Sequence, residues 1–412
     1  MDRPSTRLES RAEGCITNCV QRFIDSTNFV ANRLQKPPQK LCGGGTVGPA
    51  AHYAEERLEC TTSRPAVEAS ATALRHSDAM TCEPVGSMKE VLGRELDAES
   101  LLQAVKEQPQ HKRNIWEQLK VVGFSRAVST VYVGSLVAAA IRMQLMLLGG
   151  YTFGDLVHTG HAGLPISQTL QQKYLTAVHF LVEEGIPKLV QHVTQVVTQL
   201  VTGIPLNRPL TLAQLEAIFQ EVRLVVAGES SLHCGGSGRR HKVEPWSKYV
   251  LQLPVPPDGE SEEEKVLYNM LIETSDILDS EDFNTVMDTL IQQGFNLVLD
   301  RMADFYPVSK GQQEVDESTE KWVDSISRDL DPGTSPDSGD TLSTALAGPP
   351  QCSGFISNSA VPVAKLVPVL SGIVHAALSP TPGQLLQKVL TNDRLDALGA
   401  NVYEAFALPI AQ

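Results

Sequence analysis

Few groups of residues in this 412-residue chain have the types and spacing that chemistry requires. His158 and His161 are close enough in sequence to share a metal ion, but no cysteine or carboxylate cluster beside them would complete a ligand set. Cys234 follows His233, yet the glycine-rich loop around this pair cannot hold a base in place against a nucleophile. The run Glu262–Glu264 is most simply a solvated charged face. We therefore predict no metal site, no cofactor and no catalytic residue.

The motifs of the common nucleotide-binding and hydrolytic enzymes are missing from the sequence. It contains no GxxxxGK[ST] phosphate loop, no GxSxG elbow and no HExxH zinc motif. A net charge of −14 argues against a chain-wide basic surface, so we expect no nucleic-acid partner. The sequence therefore indicates a protein that is not an enzyme.

Residues 1–80 differ in composition from the rest of the chain, because they are rich in Arg, Gly, Pro, Ser and Thr. We predict that they are mostly disordered or weakly helical, and they contain no apolar run of signal-peptide length. The seven cysteines form an odd, scattered set without a CxxC pair, which is typical of reduced intracellular thiols.

Helical periodicity begins at about Met88, and capping residues mark several helix starts. Asp97 is a candidate N-cap for a helix that Pro109 ends, and Thr211 with Gln214 forms a capping box. Ser280 precedes a stripe of apolar residues three and four positions apart.

Glycines suggest where helices end or break. We expect Gly149-Gly150 to end the most apolar helix, Gly185 to break the helix of residues 170–202, and Gly294 to end the helix that follows Ser280.

The segment Ala127–Leu148 is apolar enough to raise the question of a membrane span. Arg142 interrupts it, and its small residues suit close packing against other helices. We predict a buried core helix, and the membrane span is the alternative.

Two long loop insertions, at about 228–264 and 311–358, separate the helical segments. Val250–Pro257 alternates like a strand, but its prolines favour an extended loop. The fold class predicted is all-α, with residues 81–412 forming a single elongated bundle of long helices.

A groove for a partner helix is one interpretation of the residues before the apolar segment. Trp116 lies beside the stripe of Ile115 and Leu119, and we expect Lys106, Lys112 and Lys120 to surround it. Apolar patches with an aromatic anchor and a basic rim bind amphipathic helices. Periodicity by itself favours core packing for Trp116, so both interpretations stay open at this point.

Several long stretches resemble the peroxin-3 family. They are NIWEQLKVVGFSRAVSTVYVGSLVAAAIRMQLMLLGGY (Asn114–Tyr151), LLQAVKEQP (Leu101–Pro109), Ser275–Tyr306, Pro362–His375 and ANVYEAF (Ala400–Phe406). The similarity extends from about Thr81 to the C-terminus. It implies an elongated bundle of long helices and a non-catalytic role in docking the chaperone-receptor peroxin-19, which delivers peroxisomal membrane proteins.

The resemblance also implies a binding site for an amphipathic helix from the N-terminal region of peroxin-19. The residues that match the family's groove are Leu102, Val105, Lys106, Lys112, Trp116, Leu119 and Lys365. It further implies a cytosol-facing position on the peroxisomal membrane. Family members begin with a basic segment and an apolar anchor, and residues 1–80 show neither, so a cytosolic form is the other expectation.

Two functions of other classes are the alternatives. One is a lipid-binding or membrane-remodelling helical module that uses residues 127–148, with membrane lipid as its partner. The other is a soluble tethering scaffold that works through the acidic and Ser/Asp-rich loops.

Overall fold

The computed structural model describes residues 84–158, 166–228, 245–256, 261–306, 359–377 and 384–407. The expectations for residues 1–80, for His161, His233 and Cys234, and for most of the two long insertions lie outside these ranges. Every statement about the structure below concerns the described residues.

The described segments are almost entirely helical, which confirms the all-α prediction. The first half contains α1 (Pro84–Glu95), α2 (Ala98–Glu107), α3 (Lys112–His158), α4 (Gln168–Leu175), α5 (Ala177–Phe180), a π-helical segment (Leu181–Gly185), α6 (Ile186–Val201) and α7 (Leu212–Val226). The second half contains α8 (Ser247–Val250), α9 (Glu262–Asp279), α10 (Glu281–Ala303), α11 (Val363–Ala377), α12 (Gln384–Leu390) and α13 (Asp393–Ala407). The strands β1 (Pro209–Thr211) and β2 (Ala360–Pro362) pair antiparallel, with Leu210 opposite Val361.

Helix α3 is the centre of the bundle. It contains 47 residues, so at 1.5 Å per residue it is about 70 Å long. Every residue from Gly123 to Gly150 is buried, and α1, α2, α6 and α9–α13 all contact it. A helix that is apolar on every side must be covered on every side, and here the neighbouring helices supply that cover.

Helix α3 also has the length and composition of a membrane-crossing helix, since its segment Lys112–Gly154 includes a sufficiently apolar window. That window is completely buried inside the protein. The structure therefore agrees with the prediction that Ala127–Leu148 packs as a core helix.

The capping residues predicted from the sequence take those roles. The Asp97 carboxylate accepts a hydrogen bond from the Ser100 backbone N–H at 2.9 Å. Thr211 and Gln214 form both bonds of a capping box, and the Ser280 hydroxyl accepts from the Phe283 N–H at 3.1 Å. Local sequence determines these helix starts because each cap involves residues three positions apart.

Two of the expected helix ends are wrong. Helix α3 continues through Gly150 to His158, and α10 continues through Gly294 to Ala303. These glycines allow close packing: a Cβ at Gly150 would lie 2.6 Å from the Tyr403 carbonyl oxygen, and one at Gly294 would lie 2.6 Å from Val131 Cγ1. They are glycines because another helix passes too close for a side chain.

The helix expected over residues 170–202 is interrupted by a turn at Thr176, whereas near Gly185 it changes its geometry but does not break. Residues Leu181–Gly185 form one π-helical segment between α5 and α6, which locally widens the helix without ending it. A Cβ at Gly185 would meet the Tyr249 carbonyl oxygen at 1.7 Å, so α8 packs directly on this segment.

Candidate functional site

The end of the bundle that holds the predicted groove residues is built around the first turns of α3. Arg126 connects α2 to this helix. Its Nε donates to the Leu96 carbonyl oxygen at 2.6 Å, and its two terminal nitrogens reach the Glu99 carboxylate at 3.1 and 2.6 Å. It also donates to the Ser371 hydroxyl of α11 at 3.2 Å. One guanidinium thereby fixes α2 and α11 against α3.

The ion pair with Arg126 changes the acidity of Glu99. The hydrogen bond from the guanidinium lowers the pKa of this carboxyl below its ordinary value. The pKa of Asp97 is lowered as well, because the Ser100 side chain and backbone both donate to its carboxylate. Both carboxylates are therefore charged at neutral pH and hold the start of α2 in place.

Lys120, which lies almost two turns earlier in α3, also connects this helix to another element. Its side chain is buried, and its Nζ donates to the Ile204 carbonyl oxygen at 2.6 Å and pairs with the Glu117 carboxylate at 2.6 Å. The connection after α6 continues to Leu206, whose carbonyl oxygen accepts from the Ala364 N–H at 2.9 Å. These bonds bring the start of α11, and Lys365 with it, to the same end of α3.

A hollow of about 480 Å³ opens where α2, α3 and α6 meet. Its apolar lining comes from Leu101 of α2 and from Val121 and Val122 of α3. Its polar lining comes from Glu117, Gln118, Lys120, Thr198 and Thr202. None of the seven predicted groove residues lines this hollow.

The four apolar residues of the predicted groove fall into two groups. Trp116 and Leu119 are 4% and 3% exposed and belong to the hydrophobic core. Leu102 and Val105 are half-buried and pack against that core from α2. All four belong to, or pack against, the hydrophobic core of the described bundle, with Trp116 inside it and the α2 side chains at its surface.

The three lysines of the predicted groove lie on three different elements. Lys106 in the last turn of α2 and Lys365 in the first turn of α11 are exposed, whereas Lys112 at the start of α3 is half-buried. Exposed lysines in these places can meet the acidic flanks of a bound helix without reorganising the core.

Sequence reasoning missed the residues that assemble this end of the bundle. Lys120 was expected in the basic rim around Trp116, but its side chain is buried and its Nζ donates to the Ile204 carbonyl oxygen instead. Arg126 was not predicted as a site residue. Each is a buried cation among the apolar residues of α3. That pattern is a usable signal, because a buried cation must find acceptors on a neighbouring element.

The described residues contain no group of three or more His, Cys, Asp or Glu side chains that would hold a metal ion. His158 lies in the last turn of α3.

Similarity to known proteins shows to which family the chain belongs. The family model for Peroxin-3 matches residues 161–405. Human Peroxisomal biogenesis factor 3 is 30% identical over 400 residues, which cover 92% of this chain and 98% of the relative. The chain belongs to the peroxin-3 family. The rat protein of the same name is also 30% identical, over 370 residues that cover 87% of this chain and 90% of the relative.

Membership gives a role in peroxisome membrane biogenesis and a place among peroxisomal membrane proteins. The family consists of biogenesis factors and is not a known enzyme family. An alignment over 92% of the chain includes positions 102–119, although the family model itself starts at residue 161.

The first residues are similar to a different family. The model for the Tim10/DDP family zinc finger matches residues 1–36. Human mitochondrial import inner membrane translocase subunit Tim8 A is 56% identical over 36 residues, which are 9% of this chain and 37% of that protein. Cys15 and Cys19 lie in this stretch with three residues between them. This C-x₃-C spacing differs from the CxxC pattern, and it was the feature of the sequence that could have indicated the second similarity.

Proposed function

We propose that this peroxin-3 family member is a cytosol-facing docking receptor that binds the amphipathic N-terminal helix of peroxin-19. The binding surface comprises α2, the first turns of α3 and the start of α11. The observation that carries the proposal is the pair of half-buried apolar side chains Leu102 and Val105, beside the exposed Lys106, on α2, the helix that Arg126 fixes against α3 and α11. The hollow between α2, α3 and α6 lies next to this surface and adds Leu101 to it.

The apolar part of the surface supplies the affinity. Leu101, Leu102 and Val105 are half-buried, so each keeps apolar area that an incoming helix would cover. Burial of such area contributes roughly 25 cal/mol per Å² before the cost of association is subtracted. Trp116 is buried in the core against which these side chains pack.

The lysines supply orientation and rate. Exposed pairs contribute about 0–1 kcal/mol each, so they cannot replace the apolar contact. They attract a helix with acidic flanks to one end of a protein whose net charge is −14, which would otherwise repel it.

The first test measures binding of a labelled peroxin-19 N-terminal peptide to the full chain. We expect the double variant Lys106→Glu/Lys365→Glu to bind about tenfold or more weakly at low salt, with a smaller difference at about 0.5 M salt because ions screen exposed charges. Lys388→Glu on α12 is the matched control, since Lys388 is also an exposed helical lysine. Equal binding by the double variant and wild type would contradict the placement of the rim.

The second test concerns the apolar contact. Trp116→Ala is a poor probe, because truncation of a buried tryptophan costs about 3–5 kcal/mol of folding stability as well. Leu102→Glu places a charge on the proposed surface while its backbone helix stays capped by Asp97. We expect lost peptide binding by a protein that still unfolds cooperatively, with a midpoint lowered only by the core packing that the half-buried Leu102 gives up. Retained binding would exclude α2 from the site.

The alternative functions have less support. The lipid-binding proposal requires residues 127–148 to reach a membrane, and in the structure they are covered by other helices. The tethering proposal depends on loops that lie mostly outside the described residues.

A further inference from the structure

The connection between α8 and α9 displays an unusual segment, Gln252–Pro256, with the sequence QLPVP. All five residues are exposed. Val255 is 84% exposed and Leu253 is 46% exposed, which makes them two of the four large apolar side chains that stand out on the described surface. Isolated exposed apolar residues are ordinary, but two of them in one proline-containing segment are not.

The segment makes no polar contact with the rest of the described residues. Within the described ranges, residues 252–256 make no hydrogen bond or ion pair, and the last backbone bond before them is from the Leu251 N–H to the Ser247 carbonyl oxygen at 2.8 Å. A stretch of backbone that hydrogen-bonds only to water is what a polyproline II helix presents.

The sequence sets the conformation of this segment in advance. Pro254 and Pro256 have fixed φ angles, and each proline restricts the residue before it to extended or polyproline II geometry. Leu253-Pro254 and Val255-Pro256 are therefore two successive apolar-proline dipeptides with little backbone entropy to lose on binding.

The start of the segment is anchored firmly. The Trp246 Nε1–H donates to the Asn284 side chain at 2.9 Å, and Ser247 donates to the Asp279 carboxylate through its backbone at 3.0 Å and its hydroxyl at 2.7 Å. Tyr249 and Leu251 are buried. The exposed dipeptides thus project from a fixed base.

The charge near the segment in the sequence indicates which kind of partner it binds. Six residues after Pro256, helix α9 begins with Glu262, Glu263 and Glu264, all exposed, and among the described residues Lys265 pairs with the first of them at 2.8 Å. This acidic turn repels an anionic lipid surface and attracts a protein groove with basic borders.

We propose that Gln252–Pro256 is a docking peptide for a partner domain that reads polyproline II helices through an aromatic groove with basic residues at its edge. Such grooves accept apolar-proline dipeptides between aromatic rings. This surface lies on different elements from the peroxin-19 site, so the proposal does not depend on the proposed function.

The experiment titrates the full chain into three purified ¹⁵N-labelled probes, an SH3 domain, a WW domain and an EVH1 domain, each with a basic residue beside its aromatic groove. The readout is the chemical shift of the groove tryptophan indole N–H. The test variant is Pro254→Ala/Pro256→Ala, and Pro245→Ala is the matched control because Pro245 is exposed but precedes the anchored helix α8.

We expect at least one domain to bind the wild-type chain and the Pro245→Ala variant alike, and the double variant at least tenfold more weakly. The unfolding midpoint of the double variant should fall only slightly below that of wild type, because its segment makes no hydrogen bond with the other described residues and the lost prolines only add freedom to the unfolded chain. Failure of all three domains to bind, or equal binding of the double variant, would overturn the proposal. Sedimentation of the wild type, but not the double variant, with phosphatidylcholine/phosphatidylserine vesicles would overturn it in favour of a membrane contact.

Discussion

Buried cations are the residues that join the central helix to its neighbours. Lys120, Arg126 and Arg142 all lie on α3 and all reach acceptors on other elements. Arg142 is fully buried, pairs with Asp396 of α13 and donates to the Leu390 carbonyl oxygen at 3.3 Å. A buried charge without hydrogen-bond acceptors costs several kcal/mol of folding free energy. Each cation is therefore compatible with essentially one arrangement of the surrounding helices, the one that supplies its acceptors.

The first prediction tests the Arg142 pair. Asp396→Asn should lower the free energy of unfolding by about 2 kcal/mol, because the buried guanidinium of Arg142 loses its counter-charge. The loss is smaller than for a fully buried pair because Asp396 is half-exposed and water already screens its charge. Urea unfolding measures it. Asp393→Asn is the control, because it removes the same charge from the same first turn of α13. Equal losses in both variants would assign the effect to the helix dipole rather than to the pair.

The second prediction concerns pH. His192 Nδ1 lies 2.9 Å from the Tyr249 hydroxyl oxygen. Burial, and secondarily the charge of Lys248, lowers the pKa of His192 from its ordinary 6.5. The unfolded chain therefore binds a proton where the folded protein does not, so the stability from this residue is complete above pH 6.5 and is lost as pH falls below it.

The measurement for His192 is the urea concentration at the midpoint of unfolding, determined at several pH values between about pH 7.5 and pH 5.5. We expect it to decline more steeply for wild type than for His192→Gln, which does not titrate in this range. Parallel profiles would mean that other groups cause the decline.

At the scale of elements, glycines set how closely helices pack on α3. Gly294 of α10 faces Val131 of α3, and Gly150 of α3 faces the backbone of α13 at Tyr403. Each allows a neighbouring helix to approach more closely than any side chain would permit.

The third prediction follows from the contact between α10 and α3. Gly294→Ala should destabilise the protein by about 1–2 kcal/mol, because the clash with Val131 exceeds the gain in helix propensity. Adding Val131→Ala should cost less than the two single losses combined, with a coupling of about 1 kcal/mol in a double-mutant cycle.

Gly372→Ala on α11 is the matched control, since a Cβ there would meet no atom within 4 Å. It should stabilise the protein by about 0.5–1 kcal/mol through helix propensity alone. If Gly294→Ala is stabilising as well, the close contact between the two helices is not maintained in solution.

At the scale of the whole molecule, the buried helix α3 is the one around which the other described helices pack. The docking surface uses the first turns of α3, and the helices that cover α3 hold α8 and the exposed segment Gln252–Pro256 on another part of the surface. Both proposed binding surfaces therefore depend on an intact bundle.

The fourth prediction is that the amides of Gly123–Gly150 exchange with solvent only by global unfolding. Native-state hydrogen exchange in the absence of lipid should give these amides the largest protection, and those of α2 less, because α2 is only half-buried. Protection of this stretch that appears only when membranes are added would contradict its role as the core.

The sequence by itself determined the features that depend on near neighbours. Residues within one or two turns of each other are enough to predict the helical class and the extended loop after Val250. They also predict the helix caps at Asp97, Thr211 and Ser280. Family membership follows from the order of side chains along the chain and needs no coordinates.

Only the tertiary structure decided what distant elements do to each other. Gly150 and Gly294 have the local pattern of helix ends, and only the helices that pass beside them explain why the chain stays helical. Trp116 has the spacing of either a core or a groove residue, and only the cover from neighbouring elements puts it inside. The physical reason is that hydrogen bonds within a turn are local, whereas burial depends on residues far away in sequence.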